Sequence, residues 1–449
     1  MKITQVCPVS PASASGSQKS LPLTFFDILW LRLPPVQRIF FYEFPHPTHL
    51  FFNTLLPKLK QSLSLALGHF FPLAGTLTWP HESNKPIIKS TIDDSVSLTV
   101  AESDVDFNHL SGTHQCEATE SHHLLSNLTI SDEKASVLAL QVTLFPNSGL
   151  SIGITSHHVV LDGRTSTNFV KSWAYLCSKL GESSSACDLP PELIPFYDRG
   201  IIKDPCELDT KYVNDWLKQG GPDNRSLMIW DLQVPEGSSR GLFHLSRSDI
   251  DKIKQLVLSK QKGEKKKKNL HLSSYVCSVA YAWVCKVKAE EIENKYVMLG
   301  LNIDGRHHLE PPLPPTYFGN CTGLRLAIAE TREIVGENGM VVAVEVLNEA
   351  LETLKDGVLS GAENWSSWLL DGLVHFDVKT IGVAGSPRFE VYSTDFGWGR
   401  PKKVEMASID KTAAFCLSDS KNGDGIEIGF VSKKEAMEAF TSLFVKGLA

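Results

Sequence analysis

Several features that would assign a chain to a class at once are missing from this 449-residue sequence. It has no G-x-x-x-x-G-K or G-x-G-x-x-G loop, so nucleotide chemistry by those routes is unsupported. It has no run of 18 apolar residues, because Asp27, Arg32 and Arg38 interrupt the apolar segment 23–42. We therefore expect no membrane-spanning helix and no membrane partner. The segment 1–18 lacks the apolar core of a secretory signal, so we expect a cytoplasmic protein.

Paired cysteines and a basic surplus are missing as well. The nine cysteines are scattered, and none forms a C-x-x-C pair, which argues against a zinc ribbon or a thioredoxin-like site and favours reduced thiols. Lys and Arg total 44 against 51 Asp and Glu, giving a net charge of −7. This balance argues against a nucleic-acid partner and, taken over the whole chain, also disfavours an anionic ligand. The 42% hydrophobic content predicts large buried cores, and the length suggests about two to four domains.

Hydrophobic periodicity predicts helices and hairpins in irregular alternation. Apolar residues at helical spacing predict helices at 55–67, 169–180, 274–284, 342–354 and 436–445. Short β-rich runs predict strands at 137–144, 150–155, 242–245, 296–301 and 426–431, the first two joined as a hairpin. Since no βαβ rhythm appears, we expect mixed α/β layers instead of a doubly wound sheet. Residues 181–222 are rich in Ser, Pro, Gly and Asp and predict a linker between domains at 1–180 and 223–449.

The strongest chemical signal is the segment Ser156-His-His158-Val-Val-Leu-Asp162-Gly-Arg, between a predicted strand and a predicted helix. Histidine titrates near neutral pH, so His158 suits a general base that deprotonates an alcohol for attack on a carbonyl carbon. Two other interpretations stay open, a structural pair and a metal site, since His158 and Asp162 are four residues apart. No third ligand follows at a zinc-like spacing, so we predict no metal.

Two further segments give weaker signals. Gly237-Ser-Ser239-Arg-Gly241 matches G-x-S-x-G, but a strand is predicted after it where a nucleophile elbow needs a helix, so a nucleophilic Ser239 is disfavoured. The run Asp395-Phe-Gly397-Trp398-Gly399 combines two glycines with two large aromatic residues. It predicts a glycine-dependent turn that packs aromatic rings between layers.

The pair of motifs His158-x-x-x-Asp162-Gly163 and Asp395–Gly399 resembles the plant acyl-CoA-dependent acyltransferases of the BAHD family, over essentially the whole chain. Four further segments resemble its anthocyanin and flavonoid-glycoside branch: Leu23–Asp27, Tyr317–Cys321, Gly361–Trp365 and Gly385–Phe389. The resemblance implies two domains similar to chloramphenicol acetyltransferase, with an active-site channel at their interface. It also implies transfer of an acyl group, above all malonyl, from acyl-CoA to a sugar hydroxyl of a phenolic glucoside. A hydroxycinnamoyl donor and an inactive, ligand-binding relative remain alternatives.

The same resemblance implies roles for individual residues. His158 is the catalytic base, reached by the thioester from one side and the acceptor from the other. Asp162 points away and pairs with an arginine, here Arg306, so that Asp162, Gly163 and Arg306 are structural. Three residues of the C-terminal turn are implied to be structural as well: Asp395, Gly397 and Trp398. The implied partners are small molecules only, with acyl-CoA as co-substrate and no separate cofactor, and we expect a monomer.

Several polar residues are candidates for binding the anionic parts of acyl-CoA. A malonyl carboxylate favours a forked cationic partner, for which Arg164 and Arg388 are candidates. The CoA phosphates favour point charges and a helix N-terminus. The candidates for that role are Lys265, Lys266, Lys267, Lys268, Ser273 and Ser274. Such a local positive cluster reconciles an anionic co-substrate with a net negative chain.

Overall fold

The computed structural model describes residues 1–12, 19–180, 188–261, 270–371, 377–412 and 414–448. Within them the strands are β1 (Lys2–Val9), β2 (Lys19–Pro22), β3 (Val36–Glu43), β4 (Thr76–Thr78), β5 (Ile87–Ser90), β6 (Val96–Glu102), β7 (Cys116–Glu117), β8 (Lys134–Ser136), β9 (Leu138–Phe145), β10 (Gly149–Ser156), β11 (Ser238–Ser246), β12 (Tyr296–Asp304), β13 (Thr322–Glu330), β14 (Val378–Gly385), β15 (Lys403–Met406), β16 (Phe415–Asp419) and β17 (Gly425–Lys433). The helices are α1 (Phe25–Ile28), α2 (Thr48–Leu50), α3 (Leu56–His69), α4 (Phe107–Leu110), α5 (Gly163–Lys179), α6 (Leu208–Lys218), α7 (Arg247–Gln261), α8 (Ser274–Ala289), α9 (Thr331–Val335), α10 (Gly339–Glu352), α11 (Trp365–Asp371) and α12 (Lys434–Lys446). None of these helices is long and apolar enough to cross a bilayer.

The strands form three sheets. One has the order β1-β6-β9-β10-β3-β15, a second has the order β13-β12-β14-β16-β17-β11-β7, and a smaller one has the order β2-β5-β4-β8. Antiparallel pairs dominate, and the parallel pairs are β6–β9, β12–β14 and β14–β16. The prediction of mixed α/β layers in place of a doubly wound sheet is therefore confirmed.

Each of the two large sheets is completed by a strand from the other half of the chain. Strand β15 lies late in the sequence but pairs with β3, with Met406 opposite Arg38. Strand β7 lies early in the sequence but pairs with β11. The two halves therefore interlock through main-chain hydrogen bonds as well as through side-chain packing.

The predicted elements around the site form with shifted ends. The hairpin is confirmed, with Leu138 paired to Ser156 at its far end, and every residue of β9 and β10 is buried. Helix α5 begins at Gly163, not at the predicted Phe169, because Asp162 accepts a hydrogen bond from the Thr165 N–H (2.9 Å) and so caps the helix.

The predicted linker contains a helix that the sequence analysis missed. Helix α6 lies inside 181–222, and its Leu208, Tyr212 and Trp216 are buried against the core of the first sheet. These three residues recur at a spacing of four, which gives one apolar helical face. The polar residues around them concealed that pattern in the sequence.

Candidate active site

The His-His segment forms the turn that connects β10 to α5. The first histidine, His157, is 1% exposed, and its N–H donates to Val137 O (2.9 Å). Burial lowers the pKa of His157 to about 3. Because its ring is enclosed, His157 cannot meet a substrate, and it serves as a neutral structural residue.

His158 is partly exposed, and protein packs against one face of its ring. The ring stacks on Trp30 with a centroid separation of 4.2 Å and an angle of 7° between the planes. Its Nδ1 is enclosed and has no hydrogen-bond partner among the described residues. Burial lowers the pKa of His158, although its own backbone, Asp162 and Asn320 favour the protonated form. Near pH 7 the ring is therefore neutral, which is the state that a general base requires.

The predicted contact between Asp162 and Arg306 is present, and it is buried. Nη1 of Arg306 donates to Asp162 Oδ2 (2.8 Å), and Nη2 donates to Asp162 Oδ1 (3.1 Å). Burial alone would lower the pKa of Arg306, but Asp162 and Asp304 raise it above its usual value. Nη2 also donates to the carbonyl oxygen of Gly319 (3.1 Å). Asp162 therefore joins the His158 turn and the start of α5 to the second half of the chain.

A second buried network supports the His158 turn, and the sequence analysis did not assign it. Nδ2 of Asn320 donates to the carbonyl oxygen of His158 (3.0 Å) and to Asp27 Oδ1 (3.1 Å). Asp27 in turn pairs with the buried Arg199. Asp27 and Asn320 belong to two segments, Leu23–Asp27 and Tyr317–Cys321, that were noted above only for their resemblance. Their polar residues within apolar surroundings were the signal that could have identified them.

Arg164 and Arg388 occupy different environments. Nε of Arg164 donates to Asp304, and its guanidinium lies 6.0 Å from the centre of the Phe389 ring. Arg388 is exposed on the turn before Phe389, which packs against the start of α5. A methyl group added at Gly163 would lie 2.7 Å from Phe389 Cε2, so glycine permits this approach. A role of either arginine in acyl-CoA binding stays a prediction.

The other residues predicted to bind CoA are only partly within the described chain. Lys265–Lys268 lie outside the described residues. Ser273 caps α8 by accepting from the Val276 N–H (3.2 Å), and Ser274 is exposed in the first turn.

The Asp395–Gly399 segment forms the turn that the sequence predicts. Oδ1 of Asp395 accepts from the N–H groups of Gly397 (2.7 Å) and Gly399 (3.0 Å), and Gly397 has a φ of 102°. Phe396 is fully buried and meets Trp173 edge-on at 5.1 Å. The turn therefore anchors the second half of the chain in the core of the first sheet. Ser239, by contrast, lies within β11 and not at a strand-to-helix elbow.

Comparisons with known proteins agree with this geometry. The model of the Transferase family matches residues 1–446. Phenolic glucoside malonyltransferase 1 of Arabidopsis thaliana is 39% identical, with 100% of this chain and 98% of that protein covered. Agmatine coumaroyltransferase of the same plant is 36% identical, with 99% of each covered.

Among solved structures, vinorine synthase has a TM-score of 0.69 at 20% identity, with 98% of both chains covered. TRI101 of F. graminearum, complexed with ethyl coenzyme A, has a TM-score of 0.67 at 12% identity, with 95% of this chain and 97% of that one covered. At these identities the two structures show the fold alone, which is the two-domain fold similar to chloramphenicol acetyltransferase. With the family match over nearly the whole chain, the protein belongs to the BAHD family and is an acyl-CoA-dependent acyltransferase.

Proposed function

We propose that the enzyme transfers a malonyl group from malonyl-CoA to a sugar hydroxyl of a phenolic glucoside. The observation that carries the reaction type is His158, whose partly exposed ring stacks on Trp30, whose carbonyl oxygen accepts from Asn320 and whose pKa is lowered by burial. The donor and acceptor classes are supported by relatives named as malonyltransferases for phenolic and anthocyanin glucosides, at 38–40% identity.

The proposed step is a direct transfer within a ternary complex. His158 Nε2 takes the proton from the glucosyl hydroxyl while that oxygen attacks the thioester carbonyl carbon. The C–S bond then breaks, and the departing CoA thiolate takes the proton back from His158. Because a thiolate is already a good leaving group, the step needs no covalent enzyme intermediate.

A hydroxycinnamoyl donor is the second candidate, since one relative is an agmatine coumaroyltransferase. A competition between malonyl-, coumaroyl- and acetyl-CoA for one phenolic glucoside separates the two donors when the products are resolved by mass. We expect malonyl-glucoside as the main product. Coumaroyl-glucoside as the main product would favour the second candidate, and free malonate would indicate a hydrolase.

The same assay tests whether His158 acts as the general base. We expect His158→Ala to lower turnover by roughly 10²–10⁴-fold, the usual contribution of a positioned base. Ser239→Ala, the matched control in β11, should keep the wild-type rate. A His158→Ala enzyme that retains most of its turnover and unfolds at the wild-type temperature would refute the assignment.

A further inference from the structure

Arg38 is a buried cation that has no carboxylate partner in the part of the chain that the structure describes. The other buried arginines of the described chain fall into two groups, those paired with carboxylates and those surrounded by carbonyl oxygens. Paired with carboxylates are Arg199, Arg240 and Arg306. Surrounded by carbonyl oxygens are Arg32 and Arg325. Arg38, which is 3% exposed, donates one hydrogen bond, from Nη1 to Thr167 Oγ1 (3.0 Å).

The two remaining guanidinium nitrogens of Arg38 have no acceptor in the described part of the protein. Both nitrogens keep some accessible surface, so they border space that protein atoms do not fill. The side chains that raise the pKa of Arg38 are Cys416 and Asp419, and the Asp419 carboxylate already accepts from the N–H groups of Val391 (2.7 Å) and Tyr392 (3.2 Å). Burial lowers the pKa of Arg38 to about 10, so it stays charged near pH 7.

The location of Arg38 connects it to the candidate active site. In the sheet, β3 lies beside β10, so that Arg38 is opposite Ile154 and Val36 is opposite Ser156, where the His158 turn begins. Thr167 Oγ1, which accepts from Arg38, donates to the carbonyl oxygen of Gly163 (2.7 Å). Two consecutive hydrogen bonds therefore link the guanidinium to the first turn of α5, directly after Asp162.

Malonyl-CoA carries two kinds of anionic group, the CoA phosphates and the malonyl carboxylate, and the carboxylate fits the position of Arg38 better. The CoA phosphates lie at the far end of the long pantetheine arm, where solvent and surface residues can bind them. A malonyl carboxylate is two bonds from the thioester carbonyl, so it must lie close to His158, inside the protein. A planar guanidinium with two free donor atoms matches a carboxylate in shape and charge. Arg164 is less suited, because its charge is already paired with the carboxylate of Asp304.

Building on the proposed function, we infer that Arg38 binds the terminal carboxylate of the malonyl group and so determines the choice of acyl donor. An unpaired charge is costly in a protein interior, and a donor that brings its own carboxylate removes that cost when it binds. Donors that end in a methyl group or a phenol do not supply that charge. The second half of the chain contributes Met406, opposite Arg38 on β15, to the same region.

The test is the ratio of kcat/KM for malonyl-CoA to that for acetyl-CoA, measured with one phenolic glucoside. We expect Arg38→Met to lower this ratio on the order of 100-fold, as truncation of one partner of a buried charged pair does. Arg325→Met removes an equally buried arginine that contacts carbonyl oxygens, and it should leave the ratio unchanged. If Arg38→Met does not fold, Arg38→Gln keeps a donor for Thr167 without the charge and should lower the ratio as well.

The possible outcomes separate this inference from the proposed function. A wild-type enzyme that prefers malonyl-CoA, together with an Arg38→Met variant that keeps the preference, would overturn the role of Arg38 and leave the proposed donor intact. A wild-type enzyme that prefers coumaroyl-CoA and has a malonyl-to-acetyl ratio near one would overturn both. Calorimetric binding of malonyl-CoA to wild type and to Arg38→Met provides a readout independent of turnover, and equal affinities would also refute the inference.

Discussion

Two adjacent histidines with the same sequence signal take opposite roles because of a small difference in enclosure. His157 is buried in the protein, whereas His158 is partly exposed. Burial lowers the pKa of both rings, so both are neutral near pH 7, but only the neutral ring that a substrate can reach can act as a base. The resemblance predicts that the base is His158, and the burial of the His157 ring agrees with that choice.

The lowered pKa of His158 predicts the pH dependence of catalysis. The base form is lost as the pH falls through a value below 6.5, so kcat/KM should be level at pH 7 and decline only below 6.5. The measurement is a kcat/KM profile from pH 4.5 to 8 with saturating acceptor. His123→Gln is the control, because the pKa of His123 is also lowered by burial and it should not alter the profile. An acid limb with its midpoint above 6.5 would contradict this account.

At the scale of elements, Asp162 performs two tasks that the sequence shows only in part. The resemblance predicts its pairing with Arg306, 144 residues away, and the structure contains that pair. The capping of α5 by Asp162 was missed, because the apolar periodicity of the helix starts later, at Phe169. Asn320 could not be placed from the sequence, because its contact with the His158 carbonyl depends on how segments 162 residues apart meet.

The buried pair of Asp162 and Arg306 predicts that substitutions of the two residues have non-additive effects on the free energy of unfolding. Removing one partner leaves a buried charge, so Asp162→Ala and Arg306→Met should each lower the free energy of unfolding by about 3–5 kcal/mol. The double variant should lose less than the two single losses added together, since neither charge is then left alone. Urea unfolding of the four proteins measures the cycle, and strictly additive losses would contradict the coupling. Asp304→Asn, at the more exposed end of the network, should cost less.

At the scale of the whole molecule, the net charge of −7 does not predict which charged groups are buried or how they are paired. Several ion pairs are buried, among them Arg240 with Asp410 inside the second half and Arg306 with Asp162 between the two halves. Glu405 on β15 is held by Arg240 and Lys403, which keep its pKa at about 2 in spite of burial. Oppositely charged residues that are far apart in the sequence therefore meet inside the protein, and a sum over the chain does not reveal them.

The exchange of strands predicts that neither half folds alone. A fragment of residues 1–222 would lack β15 and the buried Phe396, leaving an edge of its sheet and part of its core open to water. A fragment of residues 223–449 would lack β7, which pairs with β11. We expect each fragment to aggregate or to unfold without cooperativity, and coexpression of both to restore a compact complex with acyltransferase activity. Gel filtration, near-ultraviolet circular dichroism and turnover measure the three properties. A monomeric 1–222 fragment with a cooperative unfolding transition would contradict this prediction, because it would show that the first sheet is stable without the strand and the aromatic side chain that the second half supplies.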